Sequence, residues 1–283
     1  MPTDWERRRI RLPWGQLTAH VAGEGPPLLL LHGLGGSGRY WAGLAPLLAD
    51  HRMLIAPDLA GFGRSDKPRV QYTREFHLAA LDRLLEELGI RGDVAVAGHS
   101  MGGILAALFA ARRPGRIESL ALVASPFPRR QMRPFGIPHG SVRLGAYRAM
   151  QRLLPLLSPL VHSSTFPRVV VADYLRHTVD SYQQTSNALI WDPGVADELR
   201  ASGLGAIDPA LLLYSDEDTT IAPDSLARWR TLLPRAQVLQ IAGAHQLLLR
   251  DHFATLARWY DRLPGAPGLA AGARRPMGAV PPA

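Results

Sequence analysis

Residues 95–108 read AVAGHSMGGILAAL. Small and branched apolar residues run up to a serine set between glycines, and helix-forming apolar residues run away from it. The pattern predicts a strand ending near His99, a turn at Ser100 and a helix from Met101. Gly98-His99-Ser100-Met101-Gly102 fits G-x-S-x-G, a corner that holds a serine in strained backbone so that its hydroxyl clears the sheet. The flanking glycines are explained if neighbouring chain passes too close for a Cβ. A serine hydroxyl is a poor nucleophile unless a base reaches it and an acid orients that base. The corner therefore sends the reading outward, in search of both.

Apolar runs alternate with helical periods along most of the chain. RRRIRLPW (7–14) and QLTAHVAG (16–23) read as an opening hairpin. PPLLLLHG (26–33) is wholly apolar, as a strand buried on both faces should be. YWAGLAPLLAD (40–50) reads as a helix, RMLIAPDL (52–59) as a strand and FHLAALDRLLEELG (76–89) as an amphipathic helix closed by Gly89. DVAVAGHS, MGGILAALFAARRP and IESLALVAS continue the rhythm to residue 125. PALLLYSDED (209–218), PDSLARWRTLLP (223–234), AQVLQIAG (236–243) and QLLLRDHFATLARWYDRL (246–263) complete it. The expectation is an α/β protein with a mostly parallel eight-stranded sheet covered by helices on both faces.

Residues 126–205 interrupt the alternation with helix-like pieces rich in Pro and Arg, and are read as an inserted helical cap over one end of the sheet. The core is thus expected in two parts, 1–125 and 206–263. The tail 264–283 is Pro, Gly and Ala without an apolar face and is expected to be disordered.

In such a sheet, catalytic groups gather at the carboxyl ends of the strands. The last strand ends at Gly243-Ala244-His245, which makes His245 the candidate base, opening the final helix. The preceding strand ends at Ser215-Asp216-Glu217-Asp218. Asp218 is chosen as the orienting acid because it lies farther into the loop, with Asp216 as the alternative. The end of the IESLALVAS strand carries Ser125 and offers no acid. Negative charge on an attacked carbonyl would need backbone N–H donors. Met101, at the start of a helix, supplies one, and Leu34 in the turn LHGLGGSG supplies the other. Read instead as a nucleotide phosphate loop, that turn lacks both G-x-x-x-x-G-K and G-x-G-x-x-G. Among the other histidines, His99 is expected to pack away from the serine, His32 to order its turn, and His252 to lie out of reach within the last helix. His139, His162 and His177 are expected at the surface of the cap.

The 283 residues contain no cysteine, which excludes disulfides and thiolate chemistry. No cofactor and no metal site is suggested by any His/Asp/Glu spacing. The formal charge of +8 comes almost wholly from scattered arginine, with Lys67 the sole lysine, and without a basic run or aromatic interleaving it argues against nucleic acid. No apolar run reaches a membrane span, and MPTDWERRRIRLPW lacks the apolar run of a secretory signal. A soluble, cytoplasmic protein is expected. Leu153, Leu156, Leu157, Leu160, Phe166 and Val169–Val171 suggest a hydrophobic roof to the site.

Over residues 10–263 the chain resembles the α/β-hydrolase superfamily, in the group with a helical cap after the sixth core strand. The resemblance rests on LLLLHGLGG, APDLAGFGRSDKP, GHSMGG, YSDED and GAH in that order. It implies a serine esterase of lipase-like type acting on a small-molecule ester, which the apolar residues expected in the cap make hydrophobic. It also implies that DLAGFGRSD is a structural turn needing Gly61 and Gly63. The usual acid motif of the family has glycine where this chain has Ser215, which leaves Asp216 and Asp218 both open. Haloalkane dehalogenases and epoxide hydrolases of the family carry aspartate at the corner, so Ser100 argues against both. Carbon–carbon bond hydrolases usually place an aromatic residue after the base, where this chain has Gln246. Thioesterases, perhydrolases, acyltransferases and a non-catalytic receptor are further alternatives.

Overall fold

The computed structural model describes residues 5–130, 149, 173, 176–246 and 252–263. Eight strands form one sheet in the order β1-β2-β4-β3-β5-β6-β7-β8. β1 (Glu6–Leu12) and β2 (Gly15–Ala22) make the antiparallel hairpin, and β2 runs antiparallel to β4 (Met53–Pro57). The remaining pairs are parallel: β3 (Pro27–Leu31), β5 (Val94–His99), β6 (Ile117–Val123), β7 (Ala210–Tyr214) and β8 (Gln237–Gln240).

The two-residue period of a strand divides each central run between two cores. Leu29, Leu31, Val96, Leu120, Leu122 and Leu212 face one core, while Leu28, Leu30, Ala95, Ala97, Ala121 and Leu213 face the other. Neither face meets water, which is why PLLLL has no polar alternation.

On the first face lie α2 (Arg74–Glu87) and α3 (Met101–Ala111), followed in the chain by α4 (Val179–Leu189) and α5 (Pro193–Ala201). Leu189, Val195 and Leu199 share a core with Ile104 and Leu108 of α3, so this stretch sits against the sheet's own helix layer. α6 (Ser225–Leu232) adds the buried Trp229. The second face is covered by residues 38–48 and by α7 (Phe253–Tyr260), through Trp41, Leu44, Trp259 and Tyr260.

The helix expected at 40–50 forms differently. A 3₁₀ helix runs over Gly38–Leu44 and only then a short α1, Ala45–Leu48. Ser37 caps the start through the Arg39 N–H, and Pro46 in the first turn of α1 cannot donate backward, so the two pieces do not merge. Gly61 and Gly63 both adopt positive φ, as the turn after β4 requires.

The reading of residues 264–283, the apolar residues 153–171 and His139 and His162 falls outside the described residues. Among the described residues no helix is long and apolar enough to cross a membrane.

Candidate active site

The carboxyl ends of β3, β5, β6, β7 and β8 open on the same edge of the sheet, and the loops leaving them build the site. Ser100 follows β5 directly, with φ 54° and ψ −124°. That left-handed backbone is costly for a residue with a Cβ and is held from two sides. The Ser100 N–H donates to the Val123 carbonyl at the end of β6 (2.9 Å), and the Ser125 hydroxyl donates to the Ser100 carbonyl (3.1 Å). The flanking glycines are needed as expected: a Cβ on Gly102 would stand 2.3 Å from the Leu31 carbonyl oxygen.

His245 is brought to Ser100 from the loop after β8. Its Nε2 lies 2.9 Å from Ser100 Oγ, and its Nδ1 lies 2.6 Å from Asp218 Oδ2. With the proton on Nδ1, the ring donates to the carboxylate and leaves Nε2 to accept from the serine. The other Asp218 oxygen accepts the Thr220 N–H (2.8 Å). Burial pushes the Asp218 carboxyl up, but the hydrogen bond and charge of His245 and the Thr220 N–H outweigh it, so the net shift is below the usual carboxylate value. Asp216 is exposed and touches none of these groups, whereas Asp218 is buried behind the imidazole. The Glu217 carboxylate accepts the Gly243 N–H and pins the loop that carries His245.

The Met101 N–H begins α3 and the Leu34 N–H lies in the turn after β3. Among the described residues neither is donated to another backbone group. Leu34 lines the cavity in front of Ser100, and Met101 keeps its side chain wholly buried.

The other histidines divide by partner. His32 donates from Nδ1 to the Gly33 carbonyl (2.8 Å), and its Nε2 accepts the Leu59 N–H (2.9 Å). It orders the turn, as expected. His99 is wholly buried and donates from Nε2 to the His245 carbonyl (3.1 Å), so it holds the base's backbone besides packing. Burial, with the neighbouring His245, pushes His99 down to about 3, which keeps it neutral. His177 departs from the surface position expected: it is buried against Tyr182, ring centres 4.8 Å apart, and Phe62. His252 also departs from expectation. It precedes α7 in non-helical backbone, and its ring donates to the Ala242 carbonyl (2.9 Å), which ties down the loop leaving β8.

A cavity of about 220 Å³ opens in front of Ser100. Phe127, Arg129, Tyr182, Ile190 and Trp191 are walls that the sequence reading did not find. Phe127 and Arg129 follow β6 within six residues, a position that could have flagged them. The other three come from α4 and its end, and carry no local signal. Among the described residues no group of three or more His, Asp or Glu side chains could hold a metal.

Comparison with known proteins agrees with this architecture. A family model described as alpha/beta hydrolase fold matches residues 26–151. An uncharacterized protein of Mycobacterium tuberculosis is 37% identical over 145 residues, which is 50% of this chain and 41% of that protein. The chain thus spans well under half the length of these first relatives. Lipase 1 of Psychrobacter immobilis is 28% identical over 242 residues, covering 78% of this chain and 71% of the lipase. A solved thioesterase domain from the curacin biosynthetic pathway superposes with a TM-score of 0.68 at 22% identity, covering 90% of this chain and 98% of that domain.

Proposed function

From the premise that this chain is a member of the α/β-hydrolase superfamily, we propose that it is a serine hydrolase that cleaves small carboxylic esters through an acyl-enzyme. The observation that carries the proposal is the unbroken line from Asp218 to His245 to Ser100, at 2.6 and 2.9 Å, ending on a serine in left-handed backbone.

Ser100 Oγ attacks the ester carbonyl while His245 Nε2 takes its proton. The Asp218 carboxylate, held ionised by its hydrogen bonds, keeps the proton of the neutral ring on Nδ1 and stabilises the imidazolium that forms. Negative charge moves to the carbonyl oxygen, where the N–H groups of Leu34 and Met101 receive it. Donors of this kind are each worth roughly 3–4 kcal/mol in the transition state. The C–O bond then breaks, His245 returns the proton to the leaving alcohol, and the acyl group stays on Ser100. Water, deprotonated by His245, attacks the acyl carbonyl and releases the acid. The apolar lining of the cavity supports an acyl or alcohol portion that is largely hydrocarbon. Lipase 1 of Psychrobacter immobilis and Lipase 3 of a Moraxella species, 28% and 26% identical to this chain, support ester chemistry.

The first test needs no guess about the substrate. Protein treated with a fluorophosphonate should gain one adduct by intact mass, mapped to Ser100 and absent in Ser100→Ala and His245→Ala. A panel of esters of increasing chain length then defines the acyl group. Folded protein that takes no adduct, or takes it elsewhere, overturns the reading.

A further inference from the structure

We infer that the substrate carries a carboxylate at the end remote from the scissile ester, and that Arg129 receives it. The inference rests on the serine-hydrolase reading of Ser100 and narrows its substrate class.

The wall of the cavity is apolar through Leu34, Phe127, Ile190, Trp191 and Ile221. Arg129 is the single permanently charged side chain among the described lining residues, and no Asp or Glu lines the cavity beside it. Its backbone is fixed: the Arg129 N–H donates to the Ile190 carbonyl (3.0 Å), joining the loop after β6 to the end of α4. Its guanidinium carbon lies 5.8 Å from the centre of the Trp191 ring, so an aromatic wall of the same cavity supports the cation.

Arginines nearby are paired with carboxylates, and among the described residues Arg129 is not. Arg200 and Arg228 both lean on Phe127, with guanidinium carbons 5.8 Å from its ring. Arg200 pairs with Asp197 (2.7 Å) and Arg228 with Asp224 (2.6 Å). Arg129 has no ion-pair partner among the described residues, and its own stretch of chain offers none. From Pro126 to Ala172 the sequence contains seven arginines and no aspartate or glutamate.

Arg129 lines the cavity while remaining exposed to solvent. A guanidinium there gains little until a ligand displaces its water, and then it forms a paired, charge-assisted contact with a carboxylate. Ester hydrolysis at Ser100 with a carboxylate at Arg129 describes the half-ester of a dicarboxylic acid, or an ester of a hydroxy acid.

The test compares monomethyl adipate with methyl hexanoate, which share acyl length and leaving group and differ in the terminal charge. The kcat/KM ratio of charged to neutral ester is expected to be about tenfold or more, the scale of one charge-assisted contact. Arg129→Gln should bring the ratio down about tenfold, and Arg129→Lys should keep part of it. Added salt should lower it in the wild type only. Binding to Ser100→Ala by calorimetry gives a readout independent of turnover: monomethyl adipate should bind about tenfold more weakly when Arg129→Gln is added. Turnover of both esters without preference for the charged one, or a preference that survives Arg129→Gln, overturns the inference and leaves the hydrolase reading standing. Turnover of neither ester, with binding that still depends on Arg129, sustains the anion site and removes the ester reading. Absence of both turnover and Arg129-dependent binding removes both.

Discussion

A methyl group on Gly98 would lie 2.1 Å from the carbonyl oxygen of Gly102 and 2.3 Å from its carbonyl carbon. The obstacle is backbone, so no rotamer change relieves it. Gly98→Ala must open the corner that carries Ser100, and is expected to destabilise the fold by about 3 kcal/mol or more. Gly115 is the control, an exposed turn residue whose added methyl meets nothing within 4 Å. Gly115→Ala should stay within about 0.5 kcal/mol of wild type. Thermal unfolding of the two variants decides the point; a Gly98→Ala protein with wild-type Tm would mean the corner is looser than described.

Asp216 and Asp218 are two residues apart, and only one backs the imidazole. Asp218→Asn keeps the size of the group and can still accept the Thr220 N–H, but it no longer holds the His245 tautomer. The expected loss in kcat is roughly 10³–10⁴-fold, with the protein still folded. Asp216→Asn, at an exposed position, should leave kcat within about threefold, on the ground that surface substitutions away from special features change little. Ester turnover by the two variants assigns the acid directly, and the larger loss at Asp216 would reverse the assignment.

The difference between these two aspartates marks what could be read in advance. Ser100, His245 and the acidic loop were legible because parallel strands leave local signals, an apolar run and then a polar turn, and because such sheets put their chemistry at one edge. Which aspartate turns inward depends on the path of the loop over residues 215–220, and burial decides it. The walls were not legible for the same kind of reason. Tyr182 and Trp191 line the same cavity as Ser100 across more than eighty residues, and α4 and its end carry no mark of the partner they meet. The stretch 40–50 has helical composition, but Pro46 divides it and Ser37 caps the 3₁₀ piece before it, and caps outweigh propensity over so short a piece. His177 and His252 were misplaced because a histidine's burial depends on partners the chain supplies far away or across a loop.

Acid should weaken the fold through buried histidines. His77 on α2 is fully buried with Nε2 2.9 Å from the Thr185 hydroxyl of α4, and burial pushes it from 6.5 down to about 3. His99 is pushed down to about 3 by burial and by His245. For a group lowered on folding, the stability is whole above the unfolded value, 6.5, and is lost as pH falls toward the folded value. Between these limits the unfolded chain binds a proton that the native protein refuses, at about 1.4 kcal/mol per pH unit for each histidine. Asp218, lowered from 3.8, adds a loss of the same sign only below that pH. Urea unfolding at pH 7, 6 and 5 should therefore show falling stability, and His77→Gln should flatten the slope by about one proton. A slope unchanged in His77→Gln would show that His77 is not the group responsible.

The Ser125 carbonyl oxygen accepts two side-chain donors, the Tyr214 hydroxyl and the Trp229 indole N–H (3.0 Å). It stands at the start of the loop that delivers Phe127 and Arg129 to the cavity. Tyr214→Phe removes one donor and leaves the carbonyl satisfied by the other, so it should cost only about 1 kcal/mol. In a Trp229→Phe background the same change leaves a buried carbonyl bare, which adds about 1–3 kcal/mol. The two substitutions are therefore expected to be more than additive, although each alone also carries its own packing loss, which the double-mutant cycle cancels. Because the loop is anchored there, kcat/KM on the best ester should fall further in the double variant than the product of the single effects. Additive unfolding energies would mean that another donor reaches Ser125 once both rings have lost theirs, and the loop would then owe its position to packing of Phe127 on Trp229, whose ring centres lie 5.2 Å apart.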